Sequence, residues 1–181
     1  MRKMTLQKDL LELSKQVDDF FNFNTLGEIH SSLELSDDFE LPYQFSCEAL
    51  HPGTYKGFTL PETEIIMAQN TIFEQTDNYA NNEINKDHKN NRKEGSSVDD
   101  LVGKVTGASY DYSKKAYILK GEVYDETTAR KIHNKILKYV SLRINPGRVE
   151  HMGMEKIARQ LKFEELSFVR APGDPNAKIL N

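Results

Sequence analysis

A serine hydroxyl becomes a nucleophile only when something holds it still and a base within reach takes its proton. Ser141 meets the first condition in sequence. It lies in the β-forming run Tyr139-Val140-Ser141-Leu142-Arg143-Ile144. Alternation puts Val140, Leu142 and Ile144 on one face and Tyr139, Ser141 and Arg143 on the other. With the apolar set toward the core, the Ser141 hydroxyl turns away from it on a rigid strand. The competing reading is a serine on the wet side of a half-buried strand, and spacing alone favours that one.

A second candidate is Glu165, which falls with Leu161, Phe163, Ser167 and Val169 on one face of another extended run. An unpartnered carboxylate on an apolar face costs roughly several kcal/mol of desolvation, so Glu165 is expected to meet a cation or a donor. A structural Arg or Lys is the commoner partner; a histidine would be the chemically interesting one. His88 lies in Asp87-His88-Lys89-Asn90, within a polar stretch, where a lone histidine reads as exposed.

The elements that must position these residues are visible as patterns. Residues 5–22 read as an amphipathic helix, with Leu6, Leu10, Leu13, Val17 and Phe20 at spacings of three and four. Residues 23–40 read as a tether, giving a helical arm over 1–40 and a main domain over 41–181. From Leu41 the character is β: a strand near Tyr43–Ala49, then the Pro/Gly turn at His51–Gly57. Pro61 is placed to open a helix, with Glu62 and Glu64 at its positive end and Ile65, Ala68, Ile72 and Phe73 on its buried side, ending near Gln75. Residues 76–100 hold six asparagines, many charges and Gly95-Ser96-Ser97, and are expected to form a long mobile loop. Strands over 101–106 and 115–124 flank a polar turn. Asp125 then caps a helix from Glu126 to about Lys138 with Ala129, Ile132 and Ile136 inward and His133 at its boundary. The Ser141 strand is expected to stop at the Asn145-Pro146-Gly147 turn, and residues 148–156 are ambiguous.

Four segments in order resemble the prohead maturation proteases of tailed bacteriophages, which share ancestry with the herpesvirus assemblins. They are Gly53-Thr54-Tyr55-Lys56-Gly57-Phe58-Thr59-Leu60-Pro61 before a helix, and Asp87-His88-Lys89-Asn90 before Leu101-Val102-Gly103-Lys104-Val105. The other two are Val140-Ser141 after a helix, and Glu165 to Pro172 followed by Pro175-Asn176-Ala177-Lys178-Ile179. The resemblance spans about Leu41 to Ile179. It implies an α+β fold: a mostly antiparallel, partly closed β-barrel surrounded by helices, as in assemblins. It also implies a serine endopeptidase with His88 as base, Ser141 as nucleophile and Glu165 as the acid that orients His88. The implied substrates are scaffold or core protein, the major capsid protein and the protease itself, with self-association inside a procapsid in the host cytoplasm. One feature departs from the family: where its serine is usually followed by a small or branched residue, glycine and an aromatic, this chain has Leu142-Arg143-Ile144. Ser167 reads as structural, and Arg170 is a candidate contributor near the oxyanion site.

The alternative of a different class is a non-catalytic capsid-core or tube-like structural protein of the same lineage. It would have no use for His88, Ser141 and Glu165 together. A metal site would draw on His30, His51, His88, His133 and His151, but none of these pairs has strong ligand spacing, and Cys47 with His51 is a poor zinc pattern. No metal or cofactor is expected. Cys47 is the sole cysteine, which excludes an intrachain disulfide and points to a reducing compartment. It sits on a core-facing strand where a thiol is inert. A net charge of −4 gives no basic patch for nucleic acid, and no apolar run approaches the ~20 residues of a membrane helix.

Overall fold

The computed structural model describes residues 38–76, 79–80, 82–87 and 98–180. The helix expected over 5–22, nearly all of the tether, His30 and His88 therefore lie outside the described residues. Strand β1 (Tyr43–Leu50) leads into the hairpin β2 (Gly53–Tyr55) and β3 (Phe58–Leu60). Helix α1 (Glu62–Ala68) and a 3-10 turn at Thr71–Phe73 follow. Two-residue strands β4 (Gln75–Thr76) and β5 (Tyr79–Ala80) pair with each other. Then come β6 (Glu83–Asn85), β7 (Leu101–Asp111), β8 (Ala116–Val123) and helix α2 (Glu126–His133). The long strands β9 (Tyr139–Met152) and β10 (Glu155–Val169) and short β11 (Lys178–Ile179) complete the chain.

Pairing runs β10-β6-β7-β8-β1-β11-β9, and β9 pairs back onto β10. Seven strands thus close into a barrel. The fold is α+β as expected, but the barrel is fully closed, and only two short helices accompany it among the described residues. Most neighbours are antiparallel; β10 alone has parallel partners, β3 at its start and β6 at its end. Inward residues fill the ring: Phe45, Cys47, Ile84, Val105, Leu119, Val123, Val140, Leu166 and Phe168 are all buried. Phe45 packs its ring on Phe168 at 5.3 Å and over Gly121, where a Cβ would come within 2.7 Å of it. Ile65 and Ile72 bring α1 and the 3-10 turn into the same core, beside the Tyr117–Phe163 ring pair at 4.7 Å.

Several expectations fail at element ends for local reasons. The 76–100 segment contains β6, where buried Ile84 and Asn85 pair with β10 on one side and β7 on the other. The Ser141 strand does not stop at Asn145. It continues through Pro146 to Met152, paired with β10; past Tyr139 no strand is in register on its other side, the setting in which a strand tolerates proline. Helix α2 ends at His133, and Lys135 takes a left-handed φ of 57° that turns the chain. Leu137 therefore packs on the core and Ile136 is left exposed. In α1, Pro61 is the cap rather than the first helical residue, Phe73 is exposed, and Glu64 is buried, accepting the Gln160 backbone N–H at 2.8 Å.

Among the described glycines the tightest is Gly103, where a Cβ would lie 2.1 Å from the backbone oxygen of Glu122. Gly103→Ala must therefore part β7 from β8. It is expected to cost about 3 kcal/mol or more, at or above the usual range for overpacking. Gly107→Ala, whose Cβ would meet only the Lys120 side chain at 3.6 Å, is the tolerated control in a urea titration.

Candidate active site

Strands β9 and β10 face each other in the register Phe168↔Val140, Ser167↔Ser141, Leu166↔Leu142 and Glu165↔Arg143, and then Phe163 meets Ile144. Glu164 is the extra residue of a β-bulge. This corrects the expected face of Glu165. Leu161 and Phe163 point into the core, but the bulge reverses the alternation, so Leu166 and Phe168 follow them inward while Glu165 and Ser167 turn to the other side. Thr71 supports the irregular point by accepting the Phe163 N–H on its hydroxyl at 2.9 Å.

The result is one polar face across three strands. Ser141 and Arg143 come from β9, Ser167 and Glu165 from β10, and Asn85 from β6, which is in register with Ser167. Behind them Val140, Leu166, Phe168 and Ile84 fill the core. The alternation read for Ser141 holds, with its side chain opposite Val140, yet Ser141 is only 9% exposed rather than on an open wet surface. Ser167 is fully buried and donates its hydroxyl hydrogen to Glu165 Oε1 at 2.5 Å. Arg143 Nε lies 3.6 Å from Glu165 Oε2. Glu165 therefore meets both a donor and a cation, which satisfies the demand read from its sequence position. Burial, together with the nearby Glu165 carboxylate, raises the pKa of Glu83 on β6.

The segment after β10 borders the Ser141 hydroxyl. A Cβ on Gly173 would sit 4.0 Å from Ser141 Oγ, so this glycine forms the near wall. Asp174, beside it, is buried and accepts from the His51 ring Nδ1 at 2.8 Å. Arg170 is exposed just past β10, and Arg143 is the guanidinium that stands on the polar face. His88, three residues beyond Asn85, lies outside the described residues.

No protein-family model, curated protein or solved structure matches this chain.

The other candidates are placed elsewhere. Cys47 is buried in the barrel, where burial pushes its thiol up to about 12, far from a nucleophilic thiolate at neutral pH. His133 packs against the Phe39 and Tyr43 rings, the boundary position read for it, and His151 is exposed on β9. Among the described residues no group of three or more His, Cys, Asp or Glu side chains is placed to hold a metal ion, and no helix is long and apolar enough to cross a membrane. Sequence reasoning missed two contributors: Ser167 as the residue that engages Glu165, and Thr71 as the support of the bulge. The Glu-x-Ser spacing was the available signal for the first; nothing local signals the second.

Proposed function

We propose that the chain is a serine endopeptidase of phage procapsid maturation, with Ser141 as nucleophile, His88 as general base and then acid, and Glu165 as the group that orients His88. The observation that carries this reading is the shared polar face: Ser141 lies directly across from Ser167, which bonds Glu165. Covalent connection supports the place of His88. The chain leaves β6 at Asn85, level with Ser167, and three residues reach at most about 11 Å. A histidine titrates where a base is needed near neutral pH. Ser141 attacks the scissile carbonyl as His88 takes its proton. His88 then protonates the leaving amine, and water releases the acyl-enzyme by the reverse route. The assemblin-like form of the barrel and its enclosure in a procapsid belong to this proposal. So do its substrates: scaffold or core protein, the major capsid protein and the chain itself.

One observation favours the second reading, a non-catalytic capsid-core or tube-like protein: Glu165 is already engaged by Ser167 and Arg143, so the fold itself uses it. Intact-mass spectrometry of wild type, Ser141→Ala and His88→Ala, incubated alone and with scaffold protein, separates the two. Discrete truncations in wild type that both variants lack support the protease. Unchanged masses in every mixture overturn it.

A further inference from the structure

On the reading of Ser141 as the nucleophile, we propose that Asp174 is a positioning residue for it, clamped by His51 and acting through Gly173. Asp174 is 5% exposed, and a carboxylate that deep must be held by donors. It has three. Its Oδ2 accepts from the His51 backbone N–H and from His51 Nδ1, each at 2.8 Å, and its Oδ1 accepts from the Asn176 N–H at 2.9 Å. Because an ionised carboxylate only accepts, the His51 proton facing it sits on Nδ1.

His51 is itself fixed on several sides. Its carbonyl accepts from the Tyr55 hydroxyl at 2.9 Å, and its Nε2 lies 3.7 Å from Glu48. Glu48 in turn pairs with Lys114 at 3.1 Å and with Lys178 at 3.6 Å, and Lys178 is in β11 at the far end of the same return segment. The segment from Arg170 to Ala177, which joins β10 to β11, thus has its middle pinned at Asp174 and its end pinned at Lys178. Gly173, next to the pin, is the residue that stands against Ser141 Oγ. Glu48 and Lys178 also lie in register across the β1–β11 pair that closes the ring, whereas His51 and Asp174 lie outside the strands. Their common effect is to set the distance between the Gly173 backbone and the nucleophile. A reacting atom misplaced by about 1 Å can lose roughly 10²-fold in rate.

The test uses the full chain and a fluorophosphonate probe. The rate of Ser141 modification per folded molecule is measured together with amide hydrogen exchange of residues 171–177. Wild type should be modified at Ser141. Asp174→Asn, whose amide must turn its N–H₂ toward either the His51 donors or the Asn176 N–H, and His51→Phe, which removes the ring donor, should react roughly 10²-fold more slowly, with faster exchange over 171–177. His51→Asn can return a donor to the Nδ1 position and should recover most of the rate, which a merely bulky or destabilising change would not do. Equal rates and equal exchange in all four proteins overturn the clamp while the nucleophile stands. A wild type unmodified at Ser141 overturns the nucleophile, and the clamp with it. If Asp174→Asn fails to fold, the His51→Phe and His51→Asn pair decides, because recovery in only the second requires the donor.

Discussion

Ser141→Ala is expected to remove cleavage by three or more orders of magnitude while the barrel stays closed. The size follows from what a triad member does. Without the hydroxyl no acyl-enzyme forms, and only binding and polarisation of the carbonyl remain, so a loss of about 10³-fold or more is the ordinary result. The intact fold follows from where the side chain points. Ser141 lies opposite Val140, on the side of β9 away from the core, so deleting one oxygen opens no cavity among Leu166, Phe168 and Ile84. Stability should therefore change little, by about 1 kcal/mol or less, because Ser141, though buried, is not part of the apolar core. His88→Ala should lose a similar amount, and the double variant should be hardly worse than either single one, because residues that act as a unit are not additive. Cleavage of scaffold protein, followed by intact mass, gives all three rates. A folded Ser141→Ala protein that cuts normally would sink the assignment.

The sequence carried the face of Ser141 but not that of Glu165, and the reason is physical. Alternation is reliable while the pleat is regular, and β9 is regular from Tyr139 to Ile144. In β10 one inserted residue, Glu164, reverses every side chain after it. What stabilises that insertion is Thr71, a residue 92 positions earlier. No local pattern reports a hydrogen bond at that separation. The same holds for the barrel: the strands were legible from their period, but closure depends on β9 pairing with both β10 and β11. Pairing partners so distant in sequence leave no periodic trace. Ends of elements were lost to single residues with special backbone, such as Lys135 after α2. By contrast the need of Glu165 for a cation or a donor was legible from its residue type, although the apolar face on which it was placed is not the one it occupies. Ser167 and Arg143 meet it.

That pairing makes Glu165→Gln the variant with the sharpest expected split between activity and stability. Its carboxylate accepts from Ser167 on one oxygen and faces Arg143 with the other. An amide keeps the size but has one acceptor and one donor end. If its oxygen stays with Ser167, its N–H₂ turns to the side where an imidazole N–H would have to be accepted. The histidine is then held in the wrong tautomer or not held, a fault that costs about 10⁴-fold in kcat in other triads. The stability cost should be small, about 1 kcal/mol or less, because Arg143 and Glu165 are both partly exposed and water screens the lost ion pair. Arg143→Gln is the matching control: it removes the same ion pair and leaves the acceptor, so it should cut at close to the wild-type rate. Cleavage kinetics beside a urea titration of the three proteins reads both effects. If Glu165→Gln instead cuts as well as wild type, Glu165 serves only as the partner of Ser167 and Arg143. The group that orients the base must then be sought one strand over, where Asn85 is the next buried polar side chain in register with Ser167.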